Sequence, residues 1–182
     1  MGCNGGQVGT PWKWFTKKGV VSGGDFGDGK LCYDYTMGKC NHHQPTSTFP
    51  ECDAITQVQP KCDNSCATNS SIDYAKDKNV AASSYGLGSV DNIKQDIFSY
   101  GTATAAFTVY EDFLTYKSGV YQHTSGNALG GHAIKVIGWG NEKGEDYWLC
   151  VNSWNRTWGD NGTFKIKQGD SGINGQMHAG LA

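Results

Sequence analysis

The amino-acid sequence predicts an α+β protein, with an irregular, cysteine-rich N-terminal part and a strand-rich C-terminal part. Three observations support this prediction. Twenty-six glycines and only 18% charged residues favour many turns over bundled helices. Residues 103 to 109 carry an apolar side chain at every second position, as half-buried strands do. Residues 130 to 140 and 147 to 151 have the composition of two further strands, and a turn-forming segment separates them.

The first element is a short helix predicted over residues 8 to 19. Thr10 is the expected N-cap, Pro11 suits the first helical position, and Gly19 suits the end. From residue 22 to 75 no periodicity is sustained, and this segment holds three of the four prolines and five of the seven cysteines. We expect a long irregular region that depends on covalent cross-links.

From about residue 76 the sequence predicts regular elements. Residues 79 to 87 are a candidate strand, and Ser89 is expected to cap a helix that ends at Gly101. Residues 163 to 167 form the last predicted strand, before a glycine-rich tail. The apolar face predicted for the helix consists of Val90, Ile93, Ile97 and Tyr100.

Charge and hydropathy disfavour several classes of partner. The formal net charge of −2 gives no electrostatic reason to expect a nucleic acid or an anionic membrane surface. No apolar run approaches the ~20 residues of a membrane span, and the first residues do not resemble a signal peptide. Seven cysteines and glycosylation acceptors at Asn69, Asn155 and Asn161 nevertheless favour the secretory route, so we expect a lysosomal, endosomal or secreted glycoprotein.

One histidine and one asparagine are expected to meet on the predicted hairpin. If residues 141 and 144 face each other across the turn, the register places His132 opposite Ser153 and beside Asn152. A one-residue bulge would change that register without separating the two side chains. An isolated strand histidine is usually structural, but an imidazole held by a carboxamide is half of a nucleophilic catalytic site.

Four segments of the chain carry a family resemblance. GGHA…GWG, NSW…WGDNG and GCNGG (residues 2 to 6) resemble segments of the papain-like cysteine peptidases, and the Cys40-Asn41-His42-His43 loop narrows the resemblance to the cathepsin B branch. The resemblance implies a papain-like fold of two domains with a cleft between them. Residues 1–75 would be the remainder of the helical left domain, and residues 76–182 an antiparallel, β-barrel-like right domain.

The resemblance assigns roles to the residues around the predicted His–Asn pair. His132 would lower the pKa of a cysteine thiol and later protonate the leaving amine, and Asn152 would orient the imidazole. Trp154 would shield their hydrogen bond from water and bind the substrate on the leaving-group side. Core packing is the alternative interpretation of this tryptophan, and both can hold. The implied activity is that of an endopeptidase and C-terminal dipeptidase.

Substrate contacts follow from the same resemblance. The backbone of Gly5 and Gly6 would pair with the substrate as an added strand, and Gly131 would contact it beside the histidine. Without the resemblance, two glycines at a tight turn would be an equally good interpretation of Gly5 and Gly6. Gln176 stands where the branch has an acidic residue, and a neutral amide cannot form an ion pair with arginine. We therefore expect hydrophobic or aromatic side chains in the second unprimed pocket.

An occluding loop, residues 40 to 52, would block the primed end of the cleft. His42 and His43 would bind the C-terminal carboxylate of the substrate. The branch pins this loop with an arginine–aspartate pair, but here the loop has no arginine and Thr157 stands where the aspartate would be. We expect a loop that opens more easily than a pinned one.

The cysteines indicate that part of the catalytic apparatus is missing from this sequence. The resemblance implies disulfides between Cys32 and Cys66 and between Cys40 and Cys52. It also implies that Cys3 and Cys62 would be bonded to cysteines in an absent segment. Cys150, in an apolar strand, is expected to be a buried free thiol rather than the nucleophile. A C-G-[SA]-C-[WY] segment, which would carry the nucleophile, does not occur. We expect an N-terminally truncated chain that is inactive alone.

Two other functions are compatible with the residues. The chain could be a degenerate, non-catalytic binding module that keeps His132 and Asn152 as relics. It could also bind zinc, although the spacings of the candidate ligands fit no common zinc-finger pattern. These candidate ligands are Cys40, His42, His43, Cys52, Cys62 and Cys66. The preferred interpretation requires no cofactor or metal. It predicts a monomer, when complete, that acts on peptide or protein substrates and binds cystatin-like inhibitors, without nucleic-acid or membrane partners.

Overall fold

A seven-stranded sheet forms the centre of the protein. The computed structural model describes residues 4–45, 47–56, 59 and 63–181. The sheet has the strand order β3-β9-β4-β6-β7-β8-β5, and every pairing in it is antiparallel except that of β5 with β8. The strands are β1 (Gly23–Gly24), β2 (Tyr33–Asp34), β3 (Ser83–Leu87), β4 (Ala103–Tyr110), β5 (Val120–Tyr121), β6 (Ala128–Glu142), β7 (Glu145–Val151), β8 (Thr163–Lys167) and β9 (Met177–Leu181).

The helices are few and lie mainly outside the sheet. They are α1 (Gly9–Lys18), α2 (Tyr74–Asp77) and α3 (Val90–Tyr100), with 3₁₀ turns at Cys52–Ala54, Glu111–Thr115 and Asp170–Gly175. The α+β class is therefore confirmed. The barrel-like shape is not: within the described residues the sheet is open, because its edge strands β3 and β5 do not pair with each other.

The best-predicted elements are those with a local capping or periodic signal. Ser89 Oγ accepts a hydrogen bond from the Asn92 backbone N at the start of α3, and Gly101 ends that helix with a φ of 109°. Residues of β4 alternate between buried and partly exposed along its whole length, as predicted. The exception is Tyr100, which is expected on the apolar face of α3 but is 65% exposed.

Three predictions fail where tertiary contacts decide the outcome. Helix α1 begins at Gly9 with Val8 as its N-cap, so Thr10 lies inside the helix and caps nothing. The strand predicted from residue 79 begins at Ser83, because Asn79 pairs instead with Val20 in an isolated bridge. The glycine-rich tail contains β9, which pairs with β3 and β4 and completes that side of the sheet.

Helix α1 packs directly against this sheet. The Trp12 indole N–H donates to Thr104 Oγ1 at 3.2 Å. Gly9 lies so close to the His178 ring that a Cβ on residue 9 would be 2.5 Å from Nε2, so a larger residue would displace the ring.

Disulfides organise the region before residue 76. Cys32 is bonded to Cys66 and Cys40 to Cys52, as the resemblance implies, whereas Cys3 and Cys62 lie outside the described residues. The Asp77 carboxylate, at the end of α2, accepts hydrogen bonds from the backbone N and the hydroxyl of Ser22. No helix in the described part of the chain has the length and hydrophobicity required to cross a bilayer.

Candidate active site

The long strand β6 and the end of β7 bring His132 and Asn152 together. His132 Nε2 and Asn152 Oδ1 are 2.8 Å apart. The same Oδ1 accepts the Ser153 backbone N–H at 2.8 Å, which identifies that atom as the oxygen. Because an oxygen acceptor requires a donor, Nε2 carries the hydrogen, and Nδ1 of the neutral ring keeps its lone pair for a proton.

The register of this hairpin differs from the prediction. Lys143 and Gly144, with φ values of 54° and 90°, form a two-residue turn, and Glu142 pairs with Glu145. The expected pairing of residues 141 and 144 is therefore wrong, because two consecutive positive φ angles close the tighter turn. An irregularity between Val136 and Gly138 then changes the register by one residue. His132 and Asn152 still meet, as the bulge argument predicts.

Aromatic rings enclose the imidazole of His132. The Trp154 ring stacks over it with centroids 5.0 Å apart and planes at 28°, and Phe107 packs edge-on at 6.0 Å. This burial lowers the pKa of His132, although its hydrogen bond to Asn152 opposes the shift. Asn152 is itself 8% exposed, and no partner of its Nδ2 is found among the described residues. The hydrogen bond between His132 and Asn152 is thus partly shielded from solvent.

The two loop histidines lie on the other side of Trp154. His42 stacks on Trp154 at 6.1 Å with nearly parallel planes, and His43 meets the same ring edge-on at 5.5 Å. Burial and the nearby His43 and His132 lower the pKa of His42. The Cys40–Cys52 disulfide closes the loop that carries both residues. All three histidines therefore surround one tryptophan.

Two cavities border this arrangement. The larger, of about 1100 Å³, contains His132, Asn152, Trp154 and His42 in its wall. The second, of about 770 Å³, is lined by Gly5, Gly6, Ala133 and residues of α1, including Phe15. His132 and Ala133 are neighbours on β6, so adjacent residues of one strand line the two cavities. The predicted glycines thus lie near, but not in, the His–Asn cavity.

Gly131 and Gln176 lie outside the walls of both cavities. Gly131 is exposed on β6, opposite Thr108 of β4. Gln176 is also exposed, and its backbone carbonyl accepts a hydrogen bond from the Ala106 N at 3.1 Å. Ala106 pairs with Ala133, which lines the second cavity, so Gln176 is one strand away from that cavity.

Cys150 has none of the properties of an attacking thiol. It is fully buried in the core and faces Val136 and Phe164 across the neighbouring strands. Burial in this apolar environment raises the pKa of its thiol far above the ordinary value. It is the free cysteine of the described region, and it lines neither cavity.

The zinc hypothesis meets a chemical obstacle. Ligand atoms of Cys40, His42 and Cys52 lie within 4.8 Å of one another. The two sulfurs, however, are bonded to each other and are not thiolates. Cys62, a further candidate ligand, lies outside the described residues. The donor set as it stands does not suit a structural zinc ion.

Two features of the site have no signal in the sequence. Lys117 donates a hydrogen bond to Gln44 across 73 residues of chain. Asp112, in the 3₁₀ turn after β4, accepts hydrogen bonds from the Tyr121 hydroxyl at 2.7 Å and from the Thr124 and Ser125 backbone N at 2.8 and 3.1 Å. It thereby orders the turn that leads into β6 and His132. Neither set of partners is close enough in sequence for a local pattern to reveal it.

Comparison with known proteins places the chain in a family. Residues 1–181 match the family Peptidase_C1, the papain family cysteine proteases, and the chain belongs to that family. It is 41% identical over 183 residues to a cathepsin B-like cysteine proteinase of Schistosoma japonicum, with 99% of this chain and 53% of that protein covered. It is 45% identical over 184 residues to a gut-specific cysteine proteinase of Caenorhabditis elegans, with 100% and 53% covered.

A solved structure supports the same assignment. The fold is similar to that of proCathepsin B S9 from Trypanosoma congolense, with a TM-score of 0.71, 29% identity, and 93% of this chain and 51% of that chain covered. The predicted resemblance to papain-like, cathepsin B-like peptidases is thus confirmed. The chain spans about half the length of the curated relatives it matches.

Proposed function

We propose that this chain carries the imidazole–amide half of a cysteine peptidase active site, and that the attacking thiolate is supplied by residues other than those described. The observation that carries the proposal is the His132–Asn152 hydrogen bond, which leaves Nδ1 of the imidazole available. As in the family, the residues of the cleft would come from two domains, one on each side of about residue 75. This division is part of the proposal.

The chemistry follows from the position of that proton acceptor. Nδ1 takes the proton of the thiol, and the resulting thiolate attacks the scissile carbonyl carbon. The imidazolium returns the proton to the amine nitrogen as the carbon–nitrogen bond breaks, which leaves a thioester. Water then hydrolyses the thioester with the same imidazole as base. Asn152 keeps Nδ1 directed at the cleft throughout, and Trp154 excludes water from the bond between the two residues.

The histidine pair of the loop supports a second, exopeptidase activity. His42 and His43 lie beside Trp154, on the side of the cleft occupied by the loop, and His42 lines the same cavity as His132. A protonated histidine there would bind a peptide's terminal carboxylate two residues beyond the cut. The proposed products are therefore internal fragments and C-terminal dipeptides.

An active-site-directed epoxide tests the peptidase proposal. The complete polypeptide to which these residues belong should be labelled once, at a cysteine other than Cys150. His132→Ala should reduce the labelling rate to background, because the thiol then has no base. Cys150→Ala is the matched control and should leave labelling unchanged. Labelling of Cys150, or unchanged labelling of the His132→Ala protein, would contradict the proposal. A complete polypeptide that is never labelled would favour the non-catalytic binding module.

Gln176 is proposed to set the preference of the second unprimed pocket. Gln176 does not line the Gly5–Gly6 cavity, but its carbonyl is bonded to Ala106, which pairs with Ala133 in the wall of that cavity. Wild-type protein should cleave Phe-Arg reporters faster than Arg-Arg reporters, and Gln176→Glu should raise Arg-Arg turnover about 10-fold through a charge-assisted hydrogen bond. Equal turnover of both reporters by the wild-type protein would refute this assignment.

Location, glycosylation and partners form the last part of the proposal. Two disulfides support passage through an oxidising compartment, lysosomal, endosomal or extracellular. Asn155 and Asn161 line the cavity that contains His132, where a glycan would obstruct a substrate, so Asn69 is the proposed glycan site. Peptides and proteins are the proposed substrates, and cystatin-like proteins the proposed inhibitors.

A further inference from the structure

One polar contact joins the occluding loop to the strand-rich part of the protein. Lys117 Nζ donates to Gln44 Oε1 at 3.0 Å. Gln44 is 8% exposed and is one of only three buried polar or charged residues found in the described part of the chain. A buried amide oxygen without a partner is costly, so this contact favours the closed position of the loop.

The other hydrogen bonds of the loop are internal. Asn41 donates from its backbone to the Pro50 carbonyl and from its side chain to Glu51, and its Oδ1 accepts the Gln44 backbone N–H at 3.0 Å. Together with the Cys40–Cys52 disulfide, these bonds hold the shape of the loop. They do not hold its position against the cleft. Within the described residues, the Lys117–Gln44 contact is the one hydrogen bond that joins this loop to the strand-rich part of the protein.

Lys117 is exposed, but its backbone continues directly from an anchored tyrosine. Lys117 follows Tyr116, which is buried, donates its hydroxyl hydrogen to the Gly119 carbonyl, and accepts the Lys165 backbone N–H. Gln44 follows His43, whose φ of 58° turns the backbone sharply at the histidine pair. Movement of Gln44 therefore moves the two histidines with it.

We propose that the Lys117–Gln44 contact determines how much of the time the loop histidines cover the cleft, and so sets the balance between dipeptide release and internal cleavage. This inference rests on the proposed peptidase function. The arginine–aspartate pair expected in the branch is absent here, and a neutral amide accepting from a lysine takes its place at a different position on the loop. Gln44 is a positioning residue, because it acts through His42 and His43 and not on the scissile bond.

The contact biases an equilibrium between a closed and an open loop. A ligand or contact shifts such an equilibrium only by the interaction it makes in one of the two states. Opening the loop breaks this contact together with the packing of His42 and His43 on Trp154, whereas the internal bonds of the loop persist in both states. Loss of one hydrogen bond to a charged group should change the open-to-closed ratio about 10-fold.

The test uses the complete polypeptide and two peptides of the same core sequence. One has a free C-terminal carboxylate two residues beyond the cut, and the other is extended and amidated. Lys117→Met and Gln44→Ala should each raise the ratio of internal cleavage to dipeptide release about 10-fold, and the double variant should go no further. Gln44→Glu keeps an acceptor for Lys117 and should keep the wild-type ratio at neutral pH. Lys94→Met, on α3, is the matched control and should change nothing.

The outcomes separate this inference from the function on which it rests. Wild-type protein with no activity towards either peptide would overturn the peptidase proposal itself. Active protein whose ratio is unchanged in both Lys117→Met and Gln44→Ala would overturn only the inference. Equal losses of both activities would also overturn it, because they would indicate a general structural role. Faster proteolytic nicking of residues 44–50 in Lys117→Met than in Lys94→Met would support it independently of catalysis.

Discussion

At the scale of single residues, the catalytic proposal depends on which nitrogen of His132 is free. The sequence predicts that His132 and Asn152 meet, because both lie on one hairpin. It does not predict the tautomer, which is decided when the Ser153 backbone N–H and the imidazole converge on the same Asn152 oxygen. It also does not predict that Trp154 is shared by three histidines, since that depends on the path of the loop.

Asn152→Ala should lower kcat/KM of the complete polypeptide about 100-fold. The His132 imidazole remains as the base, but it loses the hydrogen bond that orients it. We expect folding to be little affected, which an unchanged circular dichroism spectrum and melting temperature would show. Asn92→Ala, an exposed residue of α3, serves as the control and should behave as wild type. An Asn152→Ala protein with undiminished kcat/KM would show that Asn152 is not the orienting residue.

His42 makes a pH-dependent prediction. Its pKa is lowered by burial and by the nearby His43 and His132, so its positive charge develops at lower pH than that of an exposed histidine. The ratio of dipeptide release to internal cleavage should therefore rise as pH falls below the ordinary histidine value of about 6.5. His42→Gln should remove most of that rise while sparing cleavage of the amidated peptide. A pH-independent ratio in the wild-type protein would contradict this assignment.

At the scale of elements, the Asp112 carboxylate binds the turn before β6, together with the carboxylates of Glu111 and Asp170. Burial by itself raises the pKa of Asp112, but hydrogen bonds from Thr124, Tyr121, Ser125 and His123 outweigh it, and the pKa of Asp112 lies well below its ordinary range. A carboxyl whose pKa is depressed in the folded state stabilises that state at pH values above its unfolded pKa. This stabilisation is lost as pH falls through the folded pKa.

Asp112→Asn should lower the free energy of unfolding by about 1–3 kcal/mol at pH 6, where the wild-type carboxylate is charged. The difference between variant and wild type should shrink as pH falls below about 4. Urea unfolding at several pH values measures both effects. Asp53→Asn, at an exposed site, should change the stability by less than about 0.5 kcal/mol. A difference that grows at acid pH would contradict the assignment.

Elements with their own local signal could be predicted from the sequence. Helix α3 has a cap residue and a terminal glycine, and apolar residues alternate along β4. Both elements, and the short strand β8, lie where the sequence predicts them. Strand β9 could not be predicted, because its five residues, two of them alanine and glycine, become a strand only by pairing with β3 and β4. The sequence also misplaces the N-cap of α1, because the observed N-cap, Val8, makes no side-chain capping hydrogen bond.

At the scale of the whole molecule, the region before residue 76 contributes little apolar core. Most of the described core lies in β4, β6, β7, β8 and the elements packed on them. The N-terminal region has two-residue strands and short turns, and its buried centre is the disulfide between Cys32 and Cys66. Covalent linkage thus takes the place of a hydrophobic core there.

Replacing Cys32 and Cys66 together by serine should destabilise the complete polypeptide by about 3–4 kcal/mol, because the cross-link closes a long segment and restricts the unfolded chain. The two residues are 34 positions apart. Urea unfolding of oxidised wild type and the double variant measures the difference. The same proteins should retain the spectroscopic signature of the sheet, since its core lies elsewhere. A loss of less than about 1 kcal/mol would show that packing, and not the disulfide, holds this region.

The sequence by itself determined the α+β class, the family, the meeting of His132 with Asn152 and the two disulfide pairs, because short motifs and strand periodicity encode them locally or by resemblance. Only the tertiary structure decided the open sheet, the hairpin register, the enclosure of Trp154 by histidines and the Lys117–Gln44 contact. These features join residues far apart in the chain, and the free energy that selects them comes from packing and hydrogen bonding between elements, which no local pattern records.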